Sequence, residues 1–157
     1  MNTTTFFLAL EKLAEADTSV VASLRRSLSR DPGTDANVFP LVEPWTAKLN
    51  DTRRQSVYLA AGLWASAARR TSSNPVSLAQ ACRNLAQGDG AAAGIERRMT
   101  QLLDSDSDEL VWRLRQLIAL LNSTGTAVDW PQLLDDLLAW NSESRTVQRR
   151  WARAFWG

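Results

Sequence analysis

Residues 96–117 read ERRMTQLLDSDSDELVWRLRQL, a stretch in which two apolar stripes decide the fold class. Its large apolar side chains recur every three or four residues, in one group before an acidic break and in a second group after it: Met99, Leu102, Leu103, Leu110, Leu114 and Leu117. This spacing is typical of helices that bury one face. Ser105 and Asp108, between the two groups, match a capping box that begins a helix. The stretch therefore predicts two helices whose arginines lie mostly off the apolar faces.

The same helical spacing extends along the rest of the chain, and no alternating strand pattern of useful length interrupts it. A helix predicted from about 52 to 70 contains VYLAAGLWASAA, in which apolar and small residues occupy nearly all sides, as in a central buried helix. Arg69 and Arg70 would end this helix, where its dipole favours cations. Three prolines and a glycine make 30–45 a connection rather than a helix. We therefore expect an all-α fold.

A chain of 157 residues is long enough to form one domain with a substantial core. The tract GDGAAAG at 88–94 is rich in small residues and predicts a junction within that domain. We expect an N-terminal lobe of about 1–87 and a C-terminal lobe of about 95–157, each a small helical bundle. Because either lobe alone would have a thin core, the two lobes are predicted to pack as one compact unit.

The composition excludes several kinds of active site. The chain has no histidine and one cysteine, so the usual zinc clusters and the Ser-His or Cys-His nucleophile systems cannot form. Cys82 occupies an apolar helical position and is predicted to be a core residue. No Walker loop or GxGxxG is present, and the acids at helix starts have a capping role, so we predict no cofactor, metal or enzymatic activity. Without a membrane-length apolar run or a basic signal-peptide start, the chain is expected to be cytoplasmic.

Arginine makes up 16 of the 18 basic residues, although the net charge is only +1. The guanidinium is a planar, permanent cation that suits phosphate groups and stacks on bases. With so small a net charge, a site for a polyanion has to be a local patch. On the terminal helix, Arg145, Arg149 and Arg153 recur every four residues, and no acid follows Arg145. This stripe fits either a polyanion contact or a solvated face that pairs with acids elsewhere in the chain.

Trp112 lies on the polar side of its predicted helix, away from the leucines. Such a ring either enters a second interface or remains available for stacking, and stacking of bases on aromatic rings is a source of affinity for single strands. Because large aromatic side chains are highly buried on average, the sequence favours a second core contact for Trp112.

Six segments occur in an informative order: SLRRSL, FPLVEPW, RRQSVYLAAGLWA, SLAQACRNLA, IERRMTQLLDSDSDELVWRLRQLIALLNS and VDWPQLLDDLLAWNSESRTVQRRWARAFW. In this order, and over nearly the whole chain, they resemble the CasB family, the small subunit of the type I-E CRISPR surveillance complex Cascade. The resemblance implies a non-catalytic helical protein, two copies of which lie along the crRNA-bearing subunits. It also implies contact with the displaced non-target DNA strand of the R-loop. Since guide–target pairing supplies sequence recognition, such a subunit needs only affinity for a phosphate backbone.

Nine arginines are candidate nucleic-acid-binding residues: Arg25, Arg26, Arg53, Arg54, Arg97, Arg98, Arg115, Arg149 and Arg153. The first seven match basic positions of the family's motifs, less uniformly at 53–54, and the last two are added on the geometry of the terminal helix. Gln116 stands where some relatives carry a second arginine. We expect weak binding to single-stranded and duplex DNA without sequence preference. The alternative is a helical adaptor whose arginines only solubilise it or dock acidic patches of partner subunits.

Overall fold

The structure is a computed structural model, which describes residues 1–88 and 92–157 and the side chains of all of these except 92 and 93. Over these ranges it has nine α-helices: α1 Thr3–Ala16, α2 Ser19–Ser27, α3 Phe39–Val42, α4 Asp51–Ser66, α5 Leu78–Ala86, α6 Ala92–Leu103, α7 Ser107–Asn122, α8 Trp130–Leu138 and α9 Thr146–Trp156. The one extended pairing in the described chain is an isolated parallel bridge between Val76 and Val128. The predicted all-α fold is confirmed. None of the described helices has the length and apolar character needed to cross a bilayer.

The described helices group into two compact units. These units are Met1–Ser66 with Trp130–Leu138, and Ala67–Asp129 with Ala139–Gly157. The first unit holds α1–α4 and α8, because α8 packs on α1 and α4, and the second holds α5–α7 and α9. The predicted lobes of 1–87 and 95–157 stay a prediction, and residues 89–91 of their junction at 88–94 lie outside the described residues.

The first unit is organised around α4, which packs on α2 and α8. All residues from 57 to 65 are buried, so this part of the helix has no solvent-facing side. Gly62 allows α2 to approach closely, since a Cβ built on it would lie only 2.7 Å from Leu28 Cδ2. The prediction of a central buried helix is confirmed.

The carboxyl end of α4 differs from the prediction. The helix ends at Ser66, so Arg69 and Arg70 lie beyond its last turn and their predicted role at the helix dipole is wrong. Arg25 of α2 contacts that end instead. Its Nε and Nη2 donate to the carbonyl oxygen of Ala65 at 3.3 and 3.1 Å. A guanidinium there satisfies a carbonyl group that has no partner within the helix.

The connection 30–45 is more regular than the sequence indicated. Besides α3, it contains single turns of 3₁₀ helix at Ala36–Val38 and Glu43–Trp45. Pro40 and Pro44 lie in the first turns of α3 and of the second 3₁₀ helix, where a residue without an N–H group breaks no helical hydrogen bond. The prolines that were expected to prevent helix formation therefore begin short helical turns.

Glu43 fixes this connection to α4. Arg54 donates to both carboxylate oxygens, from Nη2 to Oε1 and from Nε to Oε2, the latter at 3.2 Å. The hydroxyl of Tyr58 donates to Oε1 at 2.6 Å, and that of Thr46 donates to Oε2 at 2.9 Å. The carboxylate thus accepts hydrogen bonds from three side chains, in the arrangement that favours its ionised form.

The second unit is built from α5 packed on α6 and α9, and from α6 packed on α7. Met99 and Leu102 of α6 and Leu114 and Leu117 of α7 are buried. Cys82 of α5 is fully buried as well, and this burial raises the pKa of its thiol to about 12. The prediction that Cys82 is a core residue is confirmed.

The predicted capping box of α7 is wrong. The N-cap is Asp106, whose Oδ1 accepts from the N–H groups of Asp108 and Glu109 at 3.0 and 2.9 Å. Ser105 is buried, and its hydroxyl donates back to the carbonyl oxygen of Gln101 at 2.7 Å. Ser105 therefore belongs to the end of α6 and is not available to cap the next helix.

Replacing Gly62 by alanine is expected to lower the free energy of unfolding by about 1–3 kcal/mol, the usual cost of an overpacked core. The new Cβ would meet Leu28 Cγ at 2.9 Å and the carbonyl oxygen of Leu24 at 3.3 Å. Gly94→Ala in α6 is the matched control, because no described atom lies within 4 Å of a Cβ at that position. In the control, the free energy of unfolding should rise by up to about 1 kcal/mol, because alanine favours the helical conformation more than glycine does. Urea unfolding compares the two, and equal stabilities would contradict the packing of α2 on α4.

Candidate functional site

Residues of α6 and α7 line an open groove of about 290 Å³ on the second unit. Seven residues line it: Arg97, Arg98, Gln101, Trp112, Arg113, Gln116 and Leu117. Three of these side chains are permanent cations, two are neutral amides, one is an indole and none is an acid. This combination of positive charge and an aromatic ring makes the groove the candidate site.

Helical periodicity directs Arg97 and Trp112 outward. Met99 of α6 is fully buried, whereas Arg97 and Arg98 are exposed. Leu114 of α7 is fully buried, whereas Trp112 is exposed. Residues two apart on a helix lie about 200° apart around its axis, so burying one of them turns the other toward solvent. The two core residues therefore fix the rotation of both helices and present the polar sides to one groove.

The arginines of the groove are oriented by neutral partners. Arg98 Nη1 donates to Gln116 Oε1 at 3.2 Å, and Arg113 Nη1 donates to Gln101 Oε1 at 3.1 Å. Each bond joins α6 to α7 and restricts the guanidinium without cancelling its charge. The lining residues thus include three positive charges and no carboxylate to neutralise them. Such uncompensated positive charge attracts an anion.

Trp112 is the large aromatic side chain of the groove, and it is 54% exposed. The Cζ atom of Arg113 lies over the indole, 5.6 Å from the ring centroid. This separation is within the range of a cation–π contact, which favours one orientation of the ring. The prediction that Trp112 makes a second core contact is wrong, because the neighbouring α6 presents arginines and glutamine to it instead of apolar side chains.

Chemically, the groove suits binding of an anion next to a planar ring. Guanidinium groups bind phosphate oxygens, and an exposed indole offers a face for stacking. In the part of the chain that the structure describes, no group of three or more His, Cys, Asp or Glu side chains is placed to hold a metal ion.

The structure brings Arg97 and Arg98, two of the nine candidates, into this groove. Arg115 is exposed on α7 but does not line the groove. The arginine of α7 that lines the groove is Arg113. Arg113 was not among the predicted residues because both arginines flank the leucines of α7, and only the position of α6 decides which flank faces the groove. One signal for Arg113 was available in the sequence, since it follows directly on Trp112.

The terminal helix α9 runs antiparallel to α6. At each end of α9, one side chain donates a hydrogen bond to α6. At one end, Arg145 Nη2 donates to the carbonyl oxygen of Leu103. At the other end, Trp156 Nε1 donates to Glu96 Oε1 at 2.9 Å. Glu96 directly precedes the first arginine of the groove, so α9 is anchored next to the helix that carries the site.

Arg149 and Arg153 lie on α9 between these two hydrogen bonds, and both are exposed. The opposite face of α9 is buried through Val147, Trp151 and Phe155. The two arginines belong to the same unit as the groove but are not among its lining residues. Their contact with nucleic acid stays a prediction.

The four candidates of the first unit differ in what their side chains contact. Arg25 bonds the carboxyl end of α4, and Arg54 is paired with Glu43. Arg26 Nη2 donates to a serine hydroxyl one turn earlier on α2, at 3.3 Å, and Arg53 is exposed. Arg54, and also Arg25 although it is exposed, therefore have structural roles, which leaves Arg26 and Arg53 as the exposed candidates of this unit without such a role.

The contacts of Glu43 also shift the pKa values of the cluster. The hydrogen bond from Arg54, followed by the bond from Tyr58, lowers the pKa of Glu43 to about 2. Burial, followed by the bond to Glu43, raises the pKa of Tyr58. The hydrogen bond to Glu43 raises the pKa of Arg54. The carboxylate and the guanidinium are both ionised in the folded protein, so the positive charge of Arg54 is neutralised locally.

Comparison with known proteins finds CRISPR-associated relatives. The family model described as CRISPR-associated protein Cse2 matches residues 20–156. A CRISPR-associated protein Cse2 from Thermus thermophilus is 40% identical over 147 residues, which cover 91% of this chain and 82% of that protein. The crystal structure of M. ruber CasB is 34% identical, with a TM-score of 0.85 over 99% of this chain and 93% of its own. A chain of a CRISPR RNA-guided surveillance complex, 21% identical, shares the fold with a TM-score of 0.85 over 98% of this chain and 91% of its own.

Replacing Glu43 by glutamine is expected to reduce the loss of stability in acid. The pKa of Glu43 in the folded protein, about 2, lies below its ordinary value of 4.5. The ionised carboxylate therefore stabilises the fold above pH 4.5, and this contribution is lost as the pH falls toward 2. Urea unfolding at neutral pH and at about pH 3 should show a larger loss for the unsubstituted protein than for Glu43→Gln. The control is Glu143→Gln, which replaces an exposed acid and should lose as much stability in acid as the unsubstituted protein. An equally large loss for Glu43→Gln would contradict the stabilising role of the ionised Glu43 carboxylate.

Proposed function

This chain belongs to the CRISPR-associated Cse2 family, and we propose that it is the non-catalytic small subunit of a type I-E Cascade complex. Its relatives carry both the Cse2 and the CasB names, so the resemblance to the CasB family is confirmed. In the proposed role, two copies lie along the crRNA-bearing subunits in the cytoplasm. The subunit binds nucleic acid without sequence specificity and stabilises the R-loop by holding the displaced non-target DNA strand.

The observation that carries this proposal is the uncompensated charge of the α6–α7 groove. Arg98 and Arg113 donate to glutamine oxygens, and Arg97 lies beside them, with no carboxylate among the lining residues. In the first unit, by contrast, Arg54 is neutralised by a carboxylate and Arg25 bonds a main-chain carbonyl. The groove is thus a place where arginine charge is held on rigid helices and directed toward solvent.

A displaced DNA strand re-anneals with its complement unless binding energy offsets the lost duplex. Arginines that neutralise its phosphates release condensed counterions, and this release favours binding whatever the base sequence. Base pairing with the guide already supplies the specificity, so a groove that reads only the backbone is sufficient. The net charge of +1 also limits indiscriminate binding to DNA outside the complex, because the attraction is confined to a local patch.

The isolated protein is expected to bind single-stranded DNA weakly, without sequence preference and with an affinity that falls as salt rises. Each neutralised phosphate of a single strand changes the slope of log K against log salt concentration by about −0.7, so three engaged arginines give a slope of about −2. Fluorescence anisotropy titrations at several salt concentrations measure this slope. A flat dependence would contradict the proposal and favour a helical adaptor whose arginines meet only proteins.

Replacing Arg97 and Arg98 together by alanine is expected to weaken DNA binding, by about 1.5–3 kcal/mol for each charge-assisted contact that is lost. The salt slope should become less negative by about 1.4, because two phosphate contacts disappear. The free energy of unfolding should stay nearly constant, since both side chains are exposed and away from the core. Anisotropy titration and urea unfolding of the same preparation measure both quantities.

The matched control is the double variant Arg30→Ala with Arg69→Ala. It removes the same charge from two exposed positions outside the groove, and its affinity for DNA should change little. In a reconstituted complex, R-loop lifetime should fall for the groove variant and not for the control. Equal losses for both variants would show that overall charge matters and the groove does not, and unfolding of the groove variant would show that its arginines are structural.

A further inference from the structure

We infer that the α6–α7 groove is a subsite for one unpaired nucleotide, in which Trp112 stacks on the base while Arg97 and Arg98 hold the adjoining phosphates. This inference rests on the proposed function and adds to it a physical reason for preferring an unpaired strand. The ligand is single-stranded nucleic acid, recognised by a base face and a backbone together.

The indole of Trp112 is already arranged for stacking. More than half of its surface is open to solvent, and Leu114, two residues further on, anchors α7 in the core, so residue 112 stays on the polar side of the helix. Arg113 lies over the ring at a cation–π distance and favours one orientation of it. A base that stacks on such a ring meets a surface whose orientation is restricted before binding, which lowers the entropic cost of the contact.

Charge and ring occur together in this groove. Trp156, the other exposed tryptophan of the described chain, donates its N–H to Glu96 and does not line the groove. The ring of Trp112, by contrast, shares its groove with three arginines and no acid. An acidic peptide would satisfy the arginines but would leave the indole without a planar partner, whereas a nucleotide satisfies both.

The size of the groove favours a single nucleotide over a larger ligand. At about 290 Å³ it matches the smallest small-molecule sites, which start at roughly 300 Å³. In a duplex the faces of the bases are covered by their neighbours, so an indole reaches a base only after unstacking it. The arginines can therefore contact the phosphates of either form of DNA, while Trp112 adds affinity only for a strand that is already unpaired.

The test compares three DNA probes of equal length: a thymidine oligonucleotide, an abasic oligonucleotide with the same phosphates, and a duplex. The full chain should bind the thymidine strand more tightly than the abasic strand. Trp112→Ala should weaken binding of the thymidine strand roughly 5- to 150-fold and abolish the difference from the abasic strand. Its affinity for the abasic strand and the duplex should change less than about twofold. Trp112→Phe should restore part of the loss, since phenylalanine also stacks.

A spectroscopic readout is available as well. Stacking on Trp112 should quench indole fluorescence when the thymidine strand is added, and this component of the quenching should be missing in Trp112→Phe, which retains the other six tryptophans. Trp156→Ala is the matched control, since it also removes an exposed tryptophan of the second unit, and it should leave the ratio of thymidine-strand to abasic-strand affinity unchanged.

The outcomes separate this inference from the proposed function. If all three probes bind with steep salt dependence but Trp112→Ala changes nothing, the stacking subsite is overturned and the phosphate-binding role stands. If Trp112→Ala weakens the thymidine, abasic and duplex probes equally, Trp112 supports the groove structurally and stacks no base, which also overturns the inference. If none of the probes binds with salt dependence, the proposed function fails, and the subsite fails with it.

Discussion

The burial of one apolar stripe on α6 and one on α7 is the constraint on which the candidate site depends. Met99 and Leu114 have no exposed surface, and burying a side chain of this size contributes about 1.5–3 kcal/mol. Either helix would have to give up several such contacts to rotate, so its polar face has one fixed direction. The groove is therefore positioned by the hydrophobic core, and the hydrogen bonds between arginines and glutamines only refine the positions of its side chains.

The abundance of arginine in a nearly neutral chain becomes understandable once the partners of these arginines are compared. Arg25 bonds a carbonyl at the end of α4, Arg54 is paired with Glu43, and Arg145 bonds a carbonyl at the end of α6. These arginines stabilise ends and connections of helices. In the groove the partners are neutral amides, so the same residue type supplies a positive field. Net charge conceals this difference, because it sums the neutralised and the uncompensated guanidinium groups together.

Sequence alone predicted the features that follow from periodicity and burial. The all-α class, the buried α4 and the core position of Cys82 are confirmed, because each depends on the spacing of apolar residues within one helix. The exposure of Trp112, the role of Arg113 and the switch of cap from Ser105 to Asp106 were not predicted. The first two depend on which neighbouring helix faces the residue, and spacing within one helix does not contain that information. The third depends on the hydrogen bond from Ser105 back to Gln101 at the end of α6. The ordered motifs carried the family resemblance, although they did not show which arginines share a surface.

The most direct measurement of the central claim is photo-crosslinking of the full chain to a single strand that carries 5-bromodeoxyuridine, followed by mass spectrometry of the peptides. The account predicts adducts concentrated in peptides from 96–117, where the arginines and the exposed indole line one groove. Efficient adducts confined to peptides of the first unit, with none in that stretch, would contradict it.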